Sequence, residues 1–189
     1  MNAGPLVTPE REGRYGLILA DPPWRFEARS ARRQTKAAPY STMSRYDLLT
    51  MPVDRLAARN CALVMWATQA QLPQALDLMK RWGFDYKSFG TWAKQSASGN
   101  KWAFGTGYWF RSAAEIYLVG ARGAPLIKSK SERNLIVAPV RQHSRKPEQL
   151  REALERMFPL VPKIELFARE RREGWDCWGN QLDMFEGAP

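Results

Sequence analysis

Four consecutive residues, Asp21-Pro22-Pro23-Trp24, place an acid, two rigid backbone carbonyls and an aromatic ring directly after a short apolar run. Two successive prolines cannot continue a strand ladder or begin a regular helix, so the chain must leave a sheet here. Both proline carbonyls are then expected to be free to accept hydrogen bonds. The Asp21 carboxylate and the Pro22 carbonyl suit the two N–H groups of an aromatic amine, and Trp24 suits stacking on its ring. The alternative is a plain turn beside a core tryptophan, which the preceding buried run makes less favoured.

Short apolar runs predict the strands that must carry this motif. Tyr15–Ala20 and Cys61–Ala67 are typical of strands buried on both faces of a parallel sheet. Four more strand-like segments follow, at 86–94, 114–120, 135–138 and 164–168. Helical patterns separate them: a short helix capped by Ser44 and broken at Pro52, and longer ones that begin at Leu72 and at Lys146.

The alternation of strands and helices predicts an α/β fold, Rossmann-like, with a mostly parallel twisted sheet and helices on both faces. Ligands of such sheets bind beyond the carboxyl ends of the strands, which is where Asp21 is expected. Residues 1–13 are expected to be a flexible tail, because they contain two prolines and two glycines and lack periodicity. Residues 14–185 are expected to form one domain.

The charge balance favours a polyanionic partner. Lys and Arg outnumber Asp and Glu by 29 to 19, which gives a net charge of +10. Three basic groups are candidates for phosphate contacts, with a solvated surface as the alternative for each: Arg29, Arg32, Arg33 and Lys36; Lys128, Lys130 and Arg133; Arg141 and Arg145.

Other site classes are disfavoured by the composition. Two cysteines and one histidine can hardly form a four-ligand zinc site, so no metal is expected. No secretory signal begins the sequence and no run of 18 apolar residues occurs, so we expect a cytoplasmic protein without a membrane partner.

Eight segments, in order along the chain, carry a resemblance to a known family. They are ADPPW (20–24), LVMWAT (63–68), WGFDY (82–86), TWAK (91–94), GTGYWFR (105–111), HSRKPE (143–148), ELFAR (165–169) and GWDCWGNQ (174–181). From about Arg14 to Phe185 the sequence resembles the family named after the seventy-kilodalton subunit of the messenger-RNA adenosine methyltransferase, in particular its small microbial and phage-type members. That family is circularly permuted relative to other amino-methyltransferases, with the catalytic segment first and the cofactor segment last.

The resemblance implies an S-adenosylmethionine-dependent methyltransferase acting on the exocyclic N6 amine of adenine in nucleic acid. It implies a catalytic motif at Asp21, Pro22, Pro23 and Trp24. It assigns the cofactor to Asp21, Lys146, Glu165, Arg169, Asn180 and Gln181. The residues expected to contact the substrate are Arg32, Arg33, Lys94, Tyr108, Trp109 and Glu115.

DNA is favoured over RNA as the substrate, because the sequence lacks the zinc-finger module of the RNA-acting animal members. Three alternatives stay open: an RNA adenine methyltransferase, an enzyme for another amine, and a non-catalytic nucleic-acid-binding partner subunit of the same fold. The intact Asp21 motif argues against the last of these. A homodimer or a separate partner subunit is compatible with the resemblance.

Overall fold

The computed structural model describes residues 3–25, 42–107 and 109–182. Three helices and seven strands form its regular framework in this part of the chain. The helices are α1 (Arg45–Thr50), α2 (Leu72–Arg81) and α3 (Glu148–Met157). The strands are β1 (Tyr15–Ala20), β2 (Ala57–Ala67), β3 (Asp85–Gln95), β4 (Ala114–Arg122), β5 (Leu135–Pro139), β6 (Lys163–Leu166) and β7 (Asp176–Trp178).

The strands form one sheet in the order β5-β3-β4-β2-β1-β6-β7. Four of the six pairings are parallel, and β4 is antiparallel to both of its neighbours. The predicted mostly parallel α/β sheet is therefore confirmed. Because β4 runs against the other strands, its first residues lie at the same edge as the last residues of β1, β2, β3 and β6.

Two hydrophobic cores lie on opposite faces of the sheet, because alternate residues of a strand point to opposite sides. Ile18 and Met65 face the core beneath α1 and α2, whereas Leu19 and Trp66 face the core beneath α3. The prediction of helices on both faces is confirmed.

The helix ends follow local chemistry. Ser44 and Asp47 form a capping box at the start of α1, and Gly83, with a φ of 82°, follows the last turn of α2. The start of α3 differs from the prediction: the helix begins at Glu148, with Pro147 as its N-cap, so Lys146 lies in the preceding loop.

Two features near the carboxyl-terminal end differ from the sequence prediction. β6 ends at Leu166 rather than at Ala168, because Phe167 has a φ of 62° and turns the chain out of the sheet. The edge strand β7 was not predicted, since three residues of mixed polarity give no periodic signal. Gly179 then passes so close to the main chain that an added Cβ would lie 2.3 Å from the carbonyl oxygen of Ala168.

The described part of the amino-terminal segment, residues 3–13, packs against the sheet. Leu6 is buried in the α1–α2 core, and Trp178 donates a hydrogen bond to the Gly4 carbonyl at 2.8 Å. The side chain of Glu12 pairs with Arg55 at 2.9 Å. These contacts differ from the flexible tail expected for this segment. Among the described residues, no helix has the length and apolar character needed to cross a bilayer.

Candidate active site

Five charged side chains meet at the carboxyl edge of the sheet. Asp21 follows β1, Lys94 lies near the end of β3, Lys146 lies in the loop between β5 and α3, and Arg169 follows β6. Glu115 joins them from the start of β4, which reaches this edge because that strand is antiparallel.

These side chains form a chain of ion pairs with alternating charge. The Lys146 Nζ atom lies 3.0 Å from Asp21 Oδ1 and 3.0 Å from Glu115 Oε1. The second oxygen of Glu115 lies 2.6 Å from Lys94 Nζ. On the other side, an Arg169 nitrogen lies 3.7 Å from Asp21 Oδ2. None of the five side chains is more than 24% exposed, so their charges are poorly screened by solvent.

The opposing effects of burial and of neighbouring charges leave Glu115 and Lys146 ionised. Burial alone would raise the pKa of the Glu115 carboxyl, but Lys146 and Lys94 outweigh it and hold the pKa below its usual range. Burial alone would lower the pKa of Lys146, yet Asp21 and Glu115 outweigh it and raise that pKa. Lys146 is therefore a fixed ammonium group with carboxylates on two sides.

A cluster of aromatic rings lies beneath the lysines. Trp66 makes edge-on contacts with Trp92 and Tyr117, at centroid distances of 6.2 and 5.3 Å. The Lys146 ammonium group lies 5.5 Å from the Trp66 ring centre and that of Lys94 lies 4.9 Å from the Trp92 ring centre. The rings thus add a cation–π attraction that helps to fix both lysines.

The Asp21-Pro22-Pro23-Trp24 motif is tied to its surroundings more closely than expected. The Pro22 carbonyl accepts a hydrogen bond from the Trp24 amide at 2.8 Å, and the Pro23 carbonyl accepts one from the Met43 amide at 3.0 Å. The expectation that both carbonyls are free was therefore wrong, because a local turn and a bridge to Met43 use them. Each carbonyl still has a second lone pair.

Trp24 is buried in the α1–α2 core, and its indole nitrogen donates to the Trp66 carbonyl at 3.3 Å. This packing matches the alternative interpretation of the motif, a turn beside a core tryptophan. The ring also stiffens the turn that follows Asp21.

A second ionic network supports the cavity next to Asp21. Arg151, on α3, is buried, with its Nε 3.2 Å from Glu165 Oε2 and its Nη2 2.8 Å from Glu170 Oε1. Arg145 pairs with the same Glu170. The roles of Arg151 and Glu170 were not predicted from the sequence, because no local pattern indicates that Arg151 faces Glu165 and Glu170.

Glu165 stands out within this network. Its Oε2 is buried and makes no hydrogen bond to the described part of the protein, since the nearby Arg151 nitrogen lacks the required geometry. Burial raises the pKa of Glu165 to about 7, against the opposing effect of Arg151. Together with Asp21, Lys146 and Arg169, this carboxyl lines a small cavity of about 20 Å³.

Asn180 and Gln181 follow β7, beside a larger and separate cavity. That cavity measures about 510 Å³ and lies between the amino-terminal segment at Ala3–Pro5 and the end of β7 at Trp178–Gly179. The Asn180 side-chain oxygen accepts a hydrogen bond from the Ala3 amide at 2.9 Å. Among the described residues, neither amide lines the small cavity at Asp21.

The expected substrate contacts fall into three groups. Arg32, Arg33 and Tyr108, with Arg29 and Lys36, lie outside the described residues. Lys94 and Glu115 belong to the ion-pair chain, while Trp109 lies on an exposed loop between β3 and β4.

The basic group at Lys128, Lys130 and Arg133 does not lie near the site. The Lys128 amide donates to the Met157 carbonyl, at the end of α3 that leads into the amino end of β6. This places the segment towards the opposite edge of the sheet from Asp21. This basic group is therefore remote from the carboxyl ends of the strands, where Asp21 lies. In the described ranges, no group of three or more His, Cys, Asp and Glu residues could hold a metal ion.

Comparisons with known proteins identify the family of this chain. The MT-A70 family model matches residues 15–181. The chain is 30% identical over 189 residues to the Type II methyltransferase M.MunI of Mycoplasma sp, covering 89% of this chain and 78% of that protein.

Longer relatives match as well. The chain is 32% identical over 173 residues to a putative N(6)-adenosine-methyltransferase MT-A70-like protein of Medicago truncatula, covering 90% of this chain and 27% of that relative. It is 29% identical over 175 residues to the human N(6)-adenosine-methyltransferase catalytic subunit METTL3, covering 90% and 29%. The chain thus spans less than a third of the length of the plant and human proteins.

Proposed function

Since the chain belongs to the MT-A70 family, we propose that it transfers a methyl group from S-adenosylmethionine to the N6 amine of adenine in nucleic acid. The observation that carries this proposal is the position of Asp21. Its carboxylate lies at the end of β1, next to the rigid Pro22 carbonyl and 3.0 Å from the Lys146 ammonium group.

The described residues fit S-adenosylmethionine by their chemistry. A carboxylate needs a cation, and Lys146 and Arg169 supply cations. An ammonium group needs acceptors, and Asp21 and the buried, incompletely bonded Glu165 supply them. Ribose hydroxyls suit the side-chain amides of Asn180 and Gln181, which follow β7.

In this proposal the protein mainly positions the reactants. When bound, S-adenosylmethionine supplies an electrophilic methyl group. The Asp21 carboxylate and the second lone pair of the Pro22 carbonyl accept hydrogen bonds from the two N–H groups of the adenine amine. These bonds favour a tetrahedral nitrogen, whose lone pair can attack the methyl group. Asp21 is also the carboxylate placed to receive the proton that the amine must release.

We place DNA ahead of RNA as the substrate. This chain covers 78% of the relative that is named a Type II methyltransferase. It covers less than a third of the plant and human relatives that are named N(6)-adenosine-methyltransferases. The cytoplasm would supply both nucleic acid and the methyl donor. A homodimer or a partner subunit belongs to the same proposal, and activity measured across a range of protein concentrations tests for it.

The test is mass spectrometry of nucleosides after incubation with isotopically labelled S-adenosylmethionine and single-stranded DNA, duplex DNA or RNA. We expect labelled 6-methyl-deoxyadenosine. Asp21→Asn keeps the shape of the side chain and should lower turnover by about 100-fold or more, because it removes the charged acceptor.

The matched control is Asp85→Ala, since Asp85 is an exposed acid at the start of β3, far from the site. Wild-type turnover in Asp21→Asn would remove Asp21 from the mechanism. No labelled nucleoside from a wild-type sample that binds the cofactor would contradict the proposed substrate.

A further inference from the structure

A buried carboxyl group lies beside the cavity at Asp21 without completing its hydrogen bonds. Glu165, on β6, is only 9% exposed, and its side chain faces α3. Its Oε2 atom makes no hydrogen bond to the described part of the chain. Because buried acceptors are almost always bonded in folded proteins, this atom indicates a place where a ligand supplies the donor.

Arg151 holds this carboxyl group from α3. Its Nε atom lies 3.2 Å from Glu165 Oε2, and its Nη2 atom donates to Glu170 Oε1 at 2.8 Å. The other oxygen of Glu170 accepts a hydrogen bond from Arg145, the residue before Lys146. A planar guanidinium group holds two carboxylates in a defined relative position. The orientation of Glu165 therefore depends on Arg151.

The charges around Glu165 act in opposite directions. Burial raises the pKa of Glu165, the Arg151 guanidinium lowers it, and the nearby carboxyl groups of Asp21, Glu170 and Glu148 raise it again. Three further ionisable residues adjoin it: Lys146 and Arg169 in the cavity wall, and Cys177, its pairing partner on β7. The resulting pKa of about 7 means that the carboxyl group gains or loses its proton near neutral pH.

We propose that Arg151 is a positioning residue for the methyl donor: it keeps Glu165 ionised and orients its Oε2 atom to accept a hydrogen bond from the α-ammonium group of S-adenosylmethionine. This inference rests on the proposed function and concerns how the donor is bound. Because the ammonium group favours the carboxylate over the protonated acid, binding should release the Glu165 proton and tighten as the pH rises. A network that only ties α3 to β6 would give no such dependence.

The test is isothermal titration calorimetry with two ligands. S-adenosylhomocysteine has the ammonium group, whereas 5′-methylthioadenosine lacks the whole amino-acid part. Wild-type affinity for S-adenosylhomocysteine should rise about tenfold between about pH 6 and 8, as expected for one group with a pKa near 7. Affinity for 5′-methylthioadenosine should stay within about twofold over the same range.

Two variants test whether Glu165 is the group that titrates. Glu165→Gln removes the carboxyl group and should make the affinity for S-adenosylhomocysteine independent of pH. His143→Gln removes the only histidine of the chain and should keep the wild-type pH dependence.

Substitutions in the ion-pair network should move the midpoint of this pH dependence in opposite directions. Arg151→Gln removes the cation beside Glu165 and should raise the midpoint by about one pH unit or more, whereas Arg151→Lys should restore most of the shift. Glu170→Gln removes a like charge and should lower the midpoint. The matched control is Arg156→Gln, which removes an arginine of the same helix, paired with Glu132 at 2.8 Å, and should leave the midpoint unchanged.

Thermal unfolding checks that each variant folds. Glu170 is more exposed than Arg151, so Glu170→Gln tests the inference if Arg151→Gln does not fold. A pH-independent affinity of the wild type for S-adenosylhomocysteine would overturn the inference. So would an equal pH dependence for 5′-methylthioadenosine, or an unchanged midpoint in the folded Arg151 or Glu170 variants.

Binding and turnover separate this inference from the proposed function. Methyl transfer by a wild type whose cofactor affinity does not change with pH would refute the role of Arg151 and support the methyltransferase. The expected pH dependence and midpoint shifts, without any methylated nucleoside, would support Arg151 as a positioning residue and refute the proposed substrate.

Discussion

The position of Lys146 is set by competition between two carboxylates. Asp21 and Glu115 each lie 3.0 Å from its ammonium group, and Lys94 offsets part of the Glu115 charge from the other side. A cofactor carboxylate would have to compete with Asp21 and Glu115 for this ammonium group. The role of Lys94 in that competition is to weaken the hold of Glu115.

Replacing Lys94 with methionine should therefore weaken cofactor binding. Lys94→Met keeps most of the side-chain volume but removes the 2.6 Å partner of Glu115, which would then draw Lys146 away from Asp21. We expect the dissociation constant of S-adenosylhomocysteine to rise about tenfold by isothermal titration calorimetry, as for the loss of a charge-assisted hydrogen bond.

The control is Lys80→Met, because Lys80 is an exposed lysine on α2. The family resemblance implies instead that Lys94 contacts the substrate. If so, Lys94→Met would leave the cofactor affinity unchanged and raise the Michaelis constant for nucleic acid.

The residues of the site were predictable to different extents. Asp21 follows from a buried strand and two prolines, and both signals are local in the sequence. Arg151 was missed because a charged residue within an amphipathic helix ordinarily faces solvent, and only the fold turns it towards Glu165. The free carbonyls expected at Pro22 and Pro23 depended on partners, such as Met43, whose contact no local pattern indicates.

At the scale of the elements, periodicity predicted most strands and helices but not their directions. Nothing in the sequence of β4 indicates that it runs antiparallel, yet this reversal is what brings Glu115 to the carboxyl edge. The start of β2 was also missed. The strand begins at Ala57, four residues before the apolar run, and the exposed Arg59 and Asn60 interrupt the apolar pattern there.

Gly90 provides a test of how β3 supports the site. It pairs with Tyr117 on β4, and a Cβ at this position would lie 2.1 Å from the tyrosine ring. Gly90→Ala should displace that ring from Trp66 and lower the free energy of unfolding by roughly 1–3 kcal/mol, as in other overpacked cores. Urea denaturation measures this loss, with Ser88→Ala, at an exposed position of β3, as the control. Unchanged stability in Gly90→Ala would mean that Tyr117 can move without cost.

At the scale of the whole molecule, the net charge is +10, and within the described residues basic side chains lie towards both edges of the sheet. Lys94, Lys146 and Arg169 lie at the carboxyl edge, where their charges are largely paired. The segment with Lys128 and Lys130 lies towards the opposite edge. The overall surplus thus predicts a polyanionic partner without showing where that partner binds.

Neutralising the distant basic segment should therefore leave catalysis on short substrates intact. For Lys128→Gln/Lys130→Gln, we expect the Michaelis constant for a 12-nucleotide substrate to stay within twofold of wild type, in a methyl-transfer assay at low salt. We expect a strand bound at Asp21 to lie along the carboxyl edge and so to avoid this segment. A rise of tenfold would show that the strand crosses the molecule instead of lying along the carboxyl edge.

The segment that joins β3 to β4 connects exposed aromatic rings with the ion-pair chain. Trp102 forms a bridge with Gln95, next to Lys94, and Lys94 is paired with Glu115, which is in turn bonded to Lys146. We expect a ligand that shifts this segment to change the surroundings of Lys146 as well. Thermodynamic reciprocity then requires that a nucleic acid which tightens cofactor binding by some factor is itself bound more tightly, by the same factor, when the cofactor is present.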